Sequence, residues 1–216
     1  MTGQLFWNTI TPTMRSIWAG FCKSDISREF YLAGGTALAL QLGHRHSVDL
    51  DFFSPTQSDI SSLTEPLKLA LNDYPLQQVH NPWGNLILTV ENVRVGFYSY
   101  GYKMVQPLLE ADSFSLAGSK DIGLMKFDAL LSRASRKDFY DIYAICQRIS
   151  IKELLALAPK KYPDVRDFEI QATKRMVYFE RADQETDLDL IEQVEWAAVK
   201  AWFEEQARQI AKSWIE

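Results

Sequence analysis

The sequence predicts an α+β protein in which a small mixed β-sheet flanked by helices, residues 1–118, precedes a helical region, residues 119–216. Three observations carry this prediction. An apolar run meets a Gly-Gly turn and a strong helix former at residues 30–42. A strand with acidic residues at alternate positions follows at 48–53, and a hairpin pattern lies at 86–98. From about residue 119, apolar residues recur instead at the three-and-four spacing of helices. The 216 residues, 47% of them hydrophobic, suffice for a substantial core and exclude a disordered chain.

The elements follow in order. Residues 4–30 carry Leu5, Phe6, Ile10, Met14, Ile17, Trp18 and Phe21 at helical spacing, interrupted at Pro12, which predicts a leading helix or helix pair. Phe30 to Ala33 reads as a strand, Gly34-Gly35 as a turn, and Thr36 to Leu42 as a helix ending at Gly43. In the strand Val48 to Phe53, side chains alternate, so Asp49 and Asp51 share one face while Val48, Leu50 and Phe52 are expected in the core. Residues 58–72 read as a helix with Pro66 inside it, and Asn81-Pro82-Trp83-Gly84 as a loop. Leu86 to Val90 and Val93 to Tyr98, joined by Glu91-Asn92, suit a tight hairpin. Helices are expected around 119–130, 139–146, 151–157, 164–180 and 187–214.

Composition narrows the setting. Two cysteines, Cys22 and Cys146, are too few and too far apart for a disulfide framework or a zinc ribbon, which suits a reducing cytoplasm. The N-terminus lacks the layout of a signal peptide, and no apolar run approaches the ~20 residues that span a bilayer. The net charge of −5 argues against a protein coated in basic charge. That acidity is local: residues 180–216 hold 4 basic and 10 acidic side chains, which leaves 19 and 18 for residues 1–179. A near-neutral body thus carries an acidic end, fit to repel nucleic acid from one face or to receive a basic partner.

The chemistry concentrates in Gly34-Gly35-Thr36 and in Asp49-Leu50-Asp51, which begins thirteen positions after Thr36. Two carboxylates forced onto one strand face repel unless a cation sits between them, and hard oxygen ligands suit Mg²⁺, with Mn²⁺ a second fit. Paired glycines let a phosphate approach the backbone, and the first-turn amides of the following helix form an anion seat that the Thr36 hydroxyl extends. Asp-x-Asp alone is common on solvated edge strands, and Gly-Gly before a helix is often plain turn chemistry. In strand–turn–helix–strand order, the two together match the signature of polymerase-beta-like nucleotidyltransferases. His44 and His46 lack a third convergent ligand and are read as polar connection.

More narrowly, Leu32 to Leu40, Gly43-His44-Arg45 and Ser47 to Phe53 resemble the AbiEii/AbiGii toxin family of nucleotidyltransferases. A second block supports it: Met125-Lys126-Phe127-Asp128-Ala129-Leu130, Arg133, and Lys137-Asp138-Phe139-Tyr140-Asp141-Ile142-Tyr143. The resemblance implies an NTP-dependent transferase with the metal on Asp49 and Asp51, its helical region completing the active-site cleft. It also implies an RNA acceptor, most plausibly a tRNA 3′ end, and a cognate antitoxin encoded nearby. Lys126 and Asp138 carry over as family catalytic positions, the lysine to neutralise the triphosphate and the aspartate to orient or deprotonate the acceptor hydroxyl. Ion pairing along the helix with Arg133 and Lys137 is the plain alternative for Asp138 and Asp141. Arg45 matches the family's loop arginine, where it holds phosphate or braces the aspartates, and Ser47 caps the turn or touches phosphate. The chain departs at Gly96, where the family often carries a third carboxylate. That leaves open a single-metal enzyme, a base supplied by Asp138, or an inactive nucleotide-binding relative. A transferase with a small acceptor, such as an antibiotic, is the other alternative.

Overall fold

The computed structural model describes residues 4–56, 59–80, 84–111 and 114–215. It divides into two compact units, Met1–Gly118 and Ser119–Glu216.

In the first unit, Pro12 starts a helix rather than splitting one. Helix α1 (Pro12–Phe21) has proline in its first turn, where no backbone N–H is needed, and Thr11 as N-cap accepts from the Met14 amide at 3.1 Å. After strand β1 (Tyr31–Leu32) comes helix α2 (Gly34–Leu42), closed by Gly43 in the left-handed region at φ 73°. Strand β2 (Asp49–Ser54) follows with the alternating burial expected of it. One expectation fails at its edge: Val48 precedes the strand and is 70% exposed, so it contributes nothing to the core. Helix α3 (Thr64–Ala70) is shorter than expected and carries Pro66 in its first turn, where it is tolerated. The expected loop at Asn81-Pro82-Trp83 lies outside the described residues.

Strand β3 (Leu76–His80) precedes strands β4 (Leu86–Val90) and β5 (Val93–Ser99), and β6 (Leu109–Ala111) and β7 (Phe114–Leu116) close the unit. The β4–β5 turn takes Glu91 and Asn92 to φ 47° and 66°, the two left-handed positions of a type I′ turn made without glycine. The seven strands form one mixed sheet in the order β3-β4-β5-β2-β1-β7-β6. Strand β2 sits at its centre, antiparallel to β1 and parallel to β5, with Asp49 opposite Arg94 and Asp51 opposite Gly96. One face carries Leu50, Phe52, Val95 and Phe97 into a core where the Phe21 ring packs 4.8 Å from Phe52 and 5.3 Å from Phe97. The other face is left to Asp49, Asp51 and their neighbours on β5.

The second unit begins with helices α4 (Ser119–Ser132) and α5 (Arg136–Cys146). Helix α6 (Ile151–Leu155) opens on a Ser150/Glu153 capping box, and α7 (Ala158–Lys161), α8 (Phe168–Arg175) and α9 (Glu180–Asp183) follow. The last helix, α10 (Trp196–Lys212), starts later than the expected residue 187. The acids before it are used as ligands. Glu185 accepts from the Ser135 hydroxyl and the Arg136 amide at 2.7 and 2.8 Å, and Asp187 pairs with the buried Arg136 guanidinium at 2.5 Å. Glu185 thus caps the start of α5 from outside while Asp187 holds the Arg136 side chain, and residues 184–195 run without helix. No described helix is long and apolar enough to cross a membrane.

Candidate active site

The site in the first unit is assembled by the β1–α2 junction closing on β2. The Ala33 amide donates to the Asp51 carbonyl at 3.0 Å, which sets the start of α2 against the strand. Gly34 takes φ 65°, and a Cβ built on it would lie 3.1 Å from Asp51 Oδ2, so both backbone angle and space call for glycine. Gly34→Ala is therefore expected to cost about 1–3 kcal/mol of backbone strain and to displace the Asp51 carboxylate. Denaturant unfolding measures the first effect, and a loss of metal affinity the second. Gly35 is needed for a different reason: any Cβ there would run into Arg45 Nη2. The Arg45 guanidinium is buried beneath the first turn of α2 and donates to the His46 carbonyl at 2.9 Å.

Thr36 and Ser47 are both buried. The Thr36 hydroxyl donates to the Asp49 carbonyl in a short bond, and Ser47 Oγ, 2.8 Å away, donates to it in turn. The two residues thereby latch the start of α2 to the start of β2, and the Thr36 hydroxyl, spent on the Asp49 carbonyl, is turned inward rather than toward a phosphate.

Asp49 and Asp51 stand part-exposed on the same face of β2. Their hard oxygens suit Mg²⁺, and no described group of three His, Cys, Asp or Glu side chains forms a complete metal cage. A cation held here would thus complete its shell with water and phosphate oxygens, as Mg²⁺ prefers. A cationic group already faces the pair: Arg94 Nη1 donates to Asp51 Oδ1 at 3.1 Å, while its Nη2 donates to the Tyr98 hydroxyl at 2.6 Å. Burial works against the Arg94 charge, but Tyr98 and Asp51 outweigh it and raise its pKa. Burial, aided by the Asp51 carboxylate, drives the Tyr98 phenol far above its ordinary range and keeps it protonated. Sequence reasoning passed over both residues. The available signal was Arg94-x-Gly96-x-Tyr98, three positions on one strand face, but reading it required the β2–β5 register.

Lys126 and Asp138 meet in the second unit. Lys126 Nζ, 3.0 Å from Asp138 and 2.7 Å from Asp141, is almost fully buried with both carboxylates. Arg133 clamps Asp138 from the other side, Nε to Oδ2 and Nη2 to Oδ1, each at 2.9 Å. Burial alone would raise the Asp138 pKa, but Lys126 and Arg133 prevail and hold it below the ordinary carboxylate range. A second buried pair was not foreseen: Lys161 Nζ lies 2.8 Å from Asp121, with neither side chain reaching solvent.

Carboxylates paired on a central strand of a mixed sheet, beside a helix start opened by glycine, are the working parts of a nucleotidyltransferase, and the comparisons agree with that class. The chain belongs to the AbiEii family: residues 16–81 match the nucleotidyl transferase AbiEii toxin of type IV toxin–antitoxin systems. Protein aq_aa25 of Aquifex aeolicus is 33% identical over 188 residues, covering 85% of this chain and 89% of that protein. JHP933 from Helicobacter pylori shares the fold at 18% identity and a TM-score of 0.59, over 93% of this chain and 89% of that one. The nucleotidyltransferase toxin MenT4 of Mycobacterium tuberculosis does so at 15% identity and 0.57, over 90% and 82%. ANT(2")-Ia, crystallised with adenylyl-2"-tobramycin, does so at 12% and 0.51, over 67% and 94%.

Proposed function

We propose that the protein is a Mg²⁺-dependent toxin that transfers NMP from an NTP to an RNA acceptor in the cytoplasm, with the tRNA 3′ end as the favoured site. The observation that carries the reading is the approach of the Gly34 turn to Asp51 Oδ2, which sets an anion seat beside a metal-binding carboxylate. In the reaction the acceptor oxygen bonds to the α-phosphorus, the bond from that phosphorus to the bridging β-phosphate oxygen breaks, and pyrophosphate and a proton are released. When bound, the metal supplies Lewis-acid stabilisation of charge on the phosphoryl oxygens. The first-turn amides of α2 bind and orient the triphosphate, and Arg45 beneath them keeps that turn closed and positively charged.

Lys126 and Asp138 enter the proposal together. Asp138 and Asp141 fix the Lys126 ammonium in one place within the second unit, and with both Asp138 oxygens engaged and its pKa low, we assign Asp138 anchoring rather than proton acceptance. A basic antitoxin is the proposed partner. Glu192, Glu195 and Glu204 stay exposed at the acidic end, where Glu185 and Asp187 are spent on α5.

The test is incubation with α-labelled NTPs, Mg²⁺ and total tRNA. Label in RNA, lost when Mg²⁺ is chelated, is the expected result. Label confined to an added aminoglycoside would favour a small acceptor instead.

A further inference from the structure

We propose that Arg94 takes the place of a second divalent cation, so that the site binds one such ion per chain. The inference rests on reading Asp49 and Asp51 as metal ligands. Asp51 Oδ2 lies nearest the Gly34 turn, Oδ1 accepts from Arg94 Nη1 at 3.1 Å, and the Tyr98 hydroxyl is hydrogen-bonded to the same carboxylate. Because β5 runs parallel to β2, with Asp49 opposite Arg94 and Asp51 opposite Gly96, the residues Arg94, Gly96 and Tyr98 line the same sheet face as the carboxylates.

Two-metal sites hold their ions roughly 3.5–4 Å apart, which needs a carboxylate shared between them and further ligands on the far side. Both requirements are blocked here by this chain's own groups. The oxygen of Asp51 that would be shared outward is bonded to a guanidinium. The far side is Gly96, where even a Cβ would collide with the Tyr98 hydroxyl, so the ring fills the space a ligand would need. That hydroxyl, 2.6 Å from Arg94 Nη2, fixes the guanidinium from behind, and the Tyr98 ring is in turn stacked on Phe53 at 5.1 Å. Arg94 is thus a positioning residue. It turns Asp51 Oδ2 toward the phosphate seat and supplies one fixed positive charge where a metal would have brought two.

The test is a titration of the full-length protein with Mn²⁺, free ion followed by electron paramagnetic resonance, with a non-hydrolysable NTP analogue present. Wild type and Arg94→Lys are expected to bind one ion per chain. Gly96→Asp with Tyr98→Ala, which clears the ring and supplies a far-side carboxylate, is expected to bind one ion while Arg94 is kept and two once Arg94→Ala is added, and thermal melts of the four proteins check that they fold alike. Two ions in the wild type or in the variant that keeps Arg94, or one in the folded variant that lacks it, would overturn the inference while leaving nucleotidyl transfer intact. No ion in the wild type would overturn the metal reading of the aspartates as well.

Discussion

Asp51→Asn and Asp49→Asn are each expected to lower nucleotidyl transfer by at least about 10³-fold, roughly 4 kcal/mol of transition-state stabilisation. The amide keeps the shape of the side chain, so the packing against Gly34 and the β2 pairings survive. What is lost is one of the two carboxylates proposed to hold the metal, in a site where the protein supplies no complete cage among its described residues. For Asp51 there is a further effect. Its carboxylate balances Arg94, and neutralising it leaves the guanidinium facing the anion seat with no carboxylate bonded to it. Initial rates with labelled NTP measure the loss, and relief of growth inhibition on expression should parallel it. Retention of transfer within about tenfold in both variants would remove the aspartates from the mechanism.

The second large effect concerns stability. Lys161→Met is expected to destabilise the protein by about 3–5 kcal/mol, because it strips the fully buried Asp121 carboxylate of its ammonium. Burial lowers the Lys161 pKa while the Asp121 hydrogen bond and charge pull it back up, so the pair is a costly one that holds only with both members present. It ties the first turn of α4 to the end of α7. The double variant Lys161→Met with Asp121→Leu should recover most of the loss, since apolar groups of similar size replace a buried ion pair at little cost. Denaturant midpoints for the two single variants and the double test this. A double variant no more stable than Lys161→Met would show that the site fails to accept apolar packing.

Strand β2 and the β4–β5 hairpin were legible in the sequence because alternation and turn spacing are local signals. Strand β3 was not. Its Leu76-Gln77-Gln78 start offers one apolar residue to a pattern that needs several, and it lies at the sheet edge. The stretch before α10 misled for a related reason: its apolar residues keep helical spacing, but Glu185 and Asp187 are drawn out by Ser135 and Arg136 some fifty positions earlier. Within the candidate site, the closeness of Gly34 to Asp51 and the shared face of Asp49 and Asp51 were readable from residue type and spacing. The latch of Thr36 and Ser47 depends on α2 folding back onto the start of β2, and the Arg94–Tyr98 pair on which strands lie side by side, where parallel register leaves no local trace.

The central claim, that the aspartate pair and the Gly34 turn serve nucleotidyl transfer, is tested most directly by parallel reactions with α-labelled and γ-labelled NTP. Cleavage between the α- and β-phosphates predicts that only the α label enters the acceptor while the γ label leaves in pyrophosphate. Entry of the γ label would mean phosphoryl transfer and contradict the account. Absence of both labels across all four NTPs, with tRNA and small acceptors supplied, would contradict it equally.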